Sequence, residues 1–269
     1  GKSLAYLVPA LVQAHRTGRP VVIATATLAL QAQVVDRDLP KVADALAPLL
    51  GRRATYGLVK GRRNYLCQHK LVGGFPDEED ALFDLGADGS AVSPDAASDG
   101  SAGVLGGQVL RLREWARSTA SGDRDELVPG VSERAWRQVS VSAHECLGGT
   151  CPMVTDCFVE KARAAARGAD VVVTNHALLA IDAFEGRQIL PEHDLVVIDE
   201  GHELVDRVTS TITDELTGSM VERAGRKAMR FARVDGLVES AAQLGQALAE
   251  LSPGRLTTLP EQLVSALST

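Results

Sequence analysis

Two short clusters of polar residues in this chain have the makings of phosphate chemistry. At the amino end stand Gly1-Lys2-Ser3, and far downstream Asp199-Glu200-Gly201-His202. A Gly-Lys-Ser run entering a helix matches the last three residues of the loop G-x-x-x-x-G-K-[ST]. In that loop glycine lets backbone N–H groups approach phosphates, lysine places a point charge on the β and γ phosphates, and serine ligates Mg²⁺. Neighbouring carboxylates after a strand complement it: Asp199 is suited to hold Mg²⁺ and Glu200 to orient and deprotonate an attacking water. Read singly, the first cluster is a weak signal, and the second is also what the first turn of a helix carries to complement its dipole. Together, at matching ends of strand–helix units, they favour nucleotide binding.

The other residues able to do chemistry are the four cysteines, Cys67, Cys146, Cys151 and Cys157. Four residues separate the second from the third and five separate the third from the fourth. Four thiolates can hold a [4Fe–4S] cluster or a tetrahedral zinc ion, and these spacings differ from the C-x₂-C of most zinc knuckles without deciding between the two. Disulfides fit poorly with a nucleotide-driven protein that carries no secretory pattern and is expected in a reducing, cytoplasmic compartment. His69 and His144 lie near the cysteines as spare ligands or ordinary surface residues.

Charge is distributed unevenly. The chain has 269 residues and a net charge of −7. Eight acids fall between Leu71 and Leu110, where there is no lysine or arginine, and the remainder is close to neutral. Just upstream, Gly51 to Lys70 holds Arg52, Arg53, Lys60, Arg62, Arg63 and Lys70 without a single acid. Such a strip suits a polyanion as well as it suits a solvated loop. No apolar run approaches the roughly 18 residues of a membrane span, so no membrane partner is expected.

The elements that must position these residues follow from periodicity. Leu4, Leu7, Val8, Leu11 and Val12 make one stripe of an opening helix, interrupted by Pro9. Short apolar runs at Val21–Ala24, Thr55–Val59, Val171–Val173 and Leu195–Ile198 read as strands, with helices over 28–39 and 42–50 between the first two. Strands alternating with helices imply a parallel α/β sheet. Residues 86–107, rich in Gly, Ala, Ser and Asp, read as a surface insertion. From Leu204 the chain reads as helical, with Leu237, Val238, Ala241, Leu244 and Leu248 on one stripe.

Taken in order, these segments resemble the DinG-type helicases, relatives of the XPD family within helicase superfamily 2. Gly1-Lys2-Ser3-Leu4-Ala5-Tyr6 is similar to the end of motif I, and Thr25-Ala26-Thr27-Leu28-Ala29-Leu30-Gln31 to motif Ia. Gly61 to Cys67 resembles the entry to that family's cluster domain, and the other three cysteines match its ligand spacing. Thr174-Asn175-His176 precedes a DEAH-like box in which Gly201 replaces the usual alanine. The resemblance covers nearly the whole chain and implies that a [4Fe–4S] cluster, not zinc, is held by the four cysteines. It further implies a RecA-like motor domain in two parts, 1–66 and 161–205, around an inserted iron–sulfur domain at 67–160. A helical arch domain is then expected to begin at 206–269.

The function implied is ATP-dependent 5′ to 3′ movement on single-stranded DNA in repair, with ATP and Mg²⁺ bound through Gly1, Lys2, Ser3 and Asp199. Glu200 and His202 would act in hydrolysis. Thr25, Thr27, Lys60, Arg62, Arg63 and Lys70 would touch DNA, although helix capping explains the threonines equally well. Tyr65 is either a base-stacking residue or a buried aromatic. Because the sequence opens inside motif I and lacks a second motor domain, it is expected to be a piece of a longer enzyme and inactive alone. Two other classes remain: a zinc-stapled nucleic-acid-binding module without enzymatic activity, and a redox sensor in which the cluster is the function.

Overall fold

A computed structural model of the protein describes residues 2–74, 99–184, 186, 189–229, 236–252 and 254–268. Gly1 and seven of the eight clustered acids lie outside the described residues, as do positions 86–98 of the expected insertion. The described chain forms two compact units, Gly1–Thr211 and Ile212–Thr269.

The first unit is built on helix α1 (Lys2–Thr17), strand β1 (Val21–Thr25), helix α2 (Leu28–Ala32), a π-helical turn Gln33–Asp38, helix α3 (Leu39–Leu50) and strand β2 (Tyr56–Leu58). The continuous helix expected over 28–39 is therefore widened in its second half by the π turn, a distortion to which hydrophobic periodicity is nearly blind. Further along come helix α7 (Phe158–Arg167), strand β3 (Val171–Asn175), helix α8 (His176–Phe184) and strand β4 (Leu195–Ile198). All four strands are parallel in the order β2-β3-β1-β4, with β3 at Val171–Asn175. The expected parallel α/β architecture is the one observed.

Successive residues of a strand face opposite layers, and here both layers are apolar. Val21, Ile23, Val171 and Val173 pack with Leu7, Leu11, Leu39 and Ala43 on one side. Val22 and Val172 pack with Val59, Ala166, Leu178 and Leu190 on the other. Helix α1 runs through Pro9 without a break, and its buried residues are Leu7, Ala10, Leu11 and Ala14. The stripe expected from the larger side chains is thus displaced: Leu4 and Val8 are exposed, and two alanines take their places against the sheet.

The cysteine region has its own core. Helices α4 (Gln68–Leu71), α5 (Asp99–Trp115), α6 (Glu133–Arg137) and α7 (Phe158–Arg167) surround Tyr65, Leu66, Leu112, Leu127, Trp136, Phe158 and Val159. Residues 99–107, expected in the insertion, belong to α5. Trp136 is fully buried and donates from its indole to the Arg63 carbonyl at 2.6 Å. Helix α9 (Leu204–Ile212) closes the first unit, and helices α10 (Gly218–Ala228), α11 (Leu237–Ala249) and α12 (Glu261–Ser268) make the second. Of the stripe expected there, Ala241 and Leu244 are buried, while the side chains of Leu237 and Val238 are outside the described residues.

At the amino end of the sheet, Arg52 grips Asp170 with two hydrogen bonds of 2.6 and 2.5 Å, and the Thr55 amide donates to the same carboxylate. These bonds, Arg52 first, outweigh burial and hold the Asp170 carboxyl at about 2, below its ordinary 3.8. A depressed carboxylate stabilises the folded state above its unfolded pKa and ceases to do so as pH falls through the folded one. The protein should therefore lose stability between about pH 4 and pH 2. In Asp170→Asn, urea melts across that range should show a flatter acid limb.

Candidate nucleotide site and four-cysteine pocket

The parallel pairing delivers Thr25, Asn175 and Asp199 to the same end of the sheet, where open α/β folds bind ligands. The Asp199 amide donates to the Ala24 carbonyl at 2.9 Å, carrying the pairing one residue past β4. Helix α1 begins at the same end, and it brings two groups onto the acidic pair. Lys2 Nζ lies 3.5 Å from Glu200 Oε1, and the Tyr6 hydroxyl donates to Asp199 Oδ2 at 3.1 Å. Burial, with Asp199 beside it, pushes the Tyr6 phenol up to about 12. Ser3 is within hydrogen-bonding reach of both Tyr6 and Asp38. His202 Nδ1 stands 3.5 Å from the other oxygen of the Glu200 carboxylate. Lys2, Ser3, Asp199, Glu200 and His202, scattered over the chain, thus share one locality.

The backbone there is constrained. Glu200 has φ +52°, the one non-glycine residue with positive φ among those described. That conformation costs about 1–3 kcal/mol and persists only where its surroundings over-determine it. Asp199 Oδ1 accepts from the Glu200 amide at 3.1 Å, and the Glu203 amide returns to the Glu200 carbonyl at 2.9 Å. His176 Nε2 bonds the Asp199 carbonyl at 2.9 Å. Sequence reasoning assigned no role to Tyr6, Asp38 or His176. Tyr6 and His176 fall within segments that carry the family resemblance, but their contacts are not legible there, because each is made with a partner remote in the chain.

Cys67, Cys146, Cys151 and Cys157 all line one pocket, each half-buried, with Tyr65, Leu66, Val141, Val154 and Val159 among its walls. His69 lines it too, and His144 is exposed. The loops holding the thiols are tied down by the Cys67 amide to the Val139 carbonyl at 2.7 Å and by the Gly148 amide to Cys146 Sγ at 3.4 Å. Among the described residues, no three His, Cys, Asp or Glu side chains close up in the manner of a single-ion site.

The basic strip divides under this geometry. Thr25 is fully buried, its hydroxyl donating to the Thr27 and Thr174 carbonyls at 3.2 and 3.4 Å, so it does not face a DNA backbone. Thr27 caps α2, accepting from the Leu30 amide. Lys60 is 3% exposed and bonds Asp123 at 2.5 Å and Asp125 at 2.7 Å. Arg62 pairs with Glu160 at 2.9 Å beside the cysteine pocket. Lys70 donates to the Ser140 carbonyl at 3.2 Å. Arg63 is exposed. Tyr65 is buried, and burial raises its phenol well above the ordinary range. A run of like charges in sequence is thus part internal ion pairing, because the acids that neutralise Lys60 and Arg62 lie 63 and 98 residues away.

The ATP-dependent helicase DinG of Mycobacterium tuberculosis H37Rv is 48% identical over 274 residues, spanning 98% of this chain and 39% of that protein. The chain is a homologue of the DinG helicases. The ATP-dependent DNA helicase YoaA of Escherichia coli K12 is 38% identical over 211 residues, 77% of this chain and 29% of the relative. No protein-family model matches. A solved structure titled Truncated XPD aligns over 93% of the chain and 62% of its own length, at 14% identity and a TM-score of 0.40. The chain thus corresponds to well under half the length of these DinG and YoaA relatives.

Removing one partner of a buried ion pair strands the other charge. Lys60→Met should therefore cost about 3–5 kcal/mol in chemical denaturation. Arg63→Ala, at an exposed position, should leave the midpoint nearly unchanged.

Proposed function

We propose that this chain is the nucleotide- and DNA-handling part of an ATP-dependent DNA helicase that moves 5′ to 3′ along single-stranded DNA in repair. The observation that carries the reading is the approach of Lys2 to Glu200 at 3.5 Å, between residues 198 apart, with Tyr6 on Asp199 beside them. A phosphate-binding lysine and a carboxylate pair meeting at the carboxyl end of a parallel sheet are what hydrolysis of a nucleoside triphosphate needs. The homology with DinG selects a helicase among such enzymes.

In this reading Gly1, Lys2 and Ser3 hold the ATP phosphates. Ser3 and Asp199 would hold Mg²⁺, which neutralises phosphate charge when bound. Glu200 accepts the proton of the attacking water, and Lys2 and His202 on its two oxygens keep the carboxylate aimed. Charges supplied by a second motor domain complete the site, so this chain alone turns over ATP slowly or not at all.

The four cysteines would hold a [4Fe–4S] cluster. Four half-buried thiols around one partly apolar pocket suit that ligand set. A tetrahedral zinc ion on the same four thiolates is the alternative ligand set. When bound, the cluster would cross-link loops that are otherwise joined by few elements, giving a rigid rim where strands part. Motor segments 1–66 and 161–205, the cluster domain 67–160 and an arch domain from 206 follow from this assignment. The enzyme would work in the cytoplasm. Arg63 and Lys70, close in sequence to Cys67, would be the phosphate contacts, with Thr27 at the start of α2.

The anaerobically purified chain should contain about four irons and four acid-labile sulfides, in the ligand set of a cubane cluster. Cys146→Ser should lose them. One zinc without sulfide would instead favour the zinc-stapled module. Arg63→Ala should weaken binding of single-stranded oligonucleotides and reduce its salt slope by about 0.7, the loss of one phosphate contact. An unchanged slope would remove Arg63 from the interface.

A further inference from the structure

His176 opens helix α8 immediately after β3, and its ring is completely buried. In the strand order β2-β3-β1-β4, β1 separates β3 from β4. The bond from His176 Nε2 to the Asp199 carbonyl at 2.9 Å therefore spans the end of the central strand and ties the two flanking strands together. A carbonyl only accepts, so Nε2 carries the hydrogen. Nδ1 has no hydrogen-bond partner. Burying an unpartnered nitrogen is unfavourable, and an apolar side chain of similar size would avoid it. The ring's polar contact is therefore the one with Asp199.

That contact falls on the peptide joining Asp199 to Glu200. The Asp199 amide is held by Ala24 and its carbonyl by His176, so both sides of the residue are fixed before the chain turns. Glu200 then adopts its left-handed φ of +52° and meets Lys2 and His202. We propose that His176 is a positioning residue: by gripping the Asp199 carbonyl it sets the turn that aims the Glu200 carboxylate. The inference rests on Glu200 acting in ATP hydrolysis, but the bracing itself is a property of this chain.

Two variants separate the hydrogen bond from the packing. In His176→Phe the volume is filled and the donor lost; in His176→Gln an amide nitrogen can reach the Asp199 carbonyl. Nuclear magnetic resonance on this chain should show Nε2 as the protonated nitrogen. The Glu200 amide should shift, and its φ-dependent coupling change, in the Phe variant and return toward wild type in the Gln variant. In a protein of the relatives' full length, His176→Phe should lower kcat for ATP hydrolysis about 10- to 100-fold with KM within about threefold, as expected for a misplaced catalytic group. His176→Gln should recover most of it.

Retention of the Glu200 conformation and of kcat in His176→Phe would overturn the proposal. So would equal losses in both variants accompanied by equal losses of melting temperature, which would make His176 a packing residue. Glu200→Gln is the control on the underlying reading. If it leaves hydrolysis intact, the catalytic assignment fails, while the resonance data still decide whether His176 braces the turn.

Discussion

The hydrogen bond from the Asp199 amide to the Ala24 carbonyl continues the β1–β4 ladder past the last residue of β4. It fixes where the chain leaves the sheet, and the geometry of the candidate nucleotide site depends on that exit. Parallel strands point their carboxyl ends one way, so the residues following β1, β3 and β4 collect at one edge without any contact between their own side chains being required. Helix α1, packed on the same sheet through Leu7, Ala10, Leu11 and Ala14, starts at that edge and supplies Lys2, Ser3 and Tyr6. A slip of α1 by one turn would move Lys2 by about 5.4 Å and break its approach to Glu200.

The same edge carries cost as well as order. A left-handed glutamate and a buried histidine nitrogen without a hydrogen-bond partner are each unfavourable in isolation. Their coincidence around Asp199 and Glu200 marks where the apolar sheet gives way to chemistry. The cysteine region solves a different problem. Its core of Tyr65, Leu66, Leu112, Trp136 and Phe158 is surrounded by helices α4 to α7 and the loops between them, with an isolated pairing of Tyr65 and Asp123. Cross-linking through four thiolates would tie the loops that carry the cysteines to these helices.

Ion pairing changes how the local run of positive charge reads once the chain is folded. Between Gly51 and Lys70 the sequence holds six basic residues and no acid. Folding brings Asp170 to Arg52, Asp44 to Arg53, Asp123 and Asp125 to Lys60, and Glu160 to Arg62. The acids come from elsewhere in the chain, so the neutralisation is a tertiary event. Of the strip, Arg63 is the exposed arginine without such a pair among the described contacts.

The sequence by itself determined the parallel α/β sheet, all four strands and the residues of the Lys2–Asp199–Glu200 constellation. Continuous β-branched runs can be buried only in a sheet covered on both faces, and phosphate chemistry restricts which side chains follow them. It also marked the four cysteines as one candidate set, and folding places all four on one pocket. Tertiary structure alone decided that Ala10 and Ala14, not Leu4 and Val8, face the sheet, because closeness of approach depends on the partner surface as well as on the helix. It decided that Thr25 and Lys60 are internal. It alone brought Tyr6 to Asp199 and His176 to the Asp199 carbonyl, because these contacts are made across strands whose order no local pattern encodes.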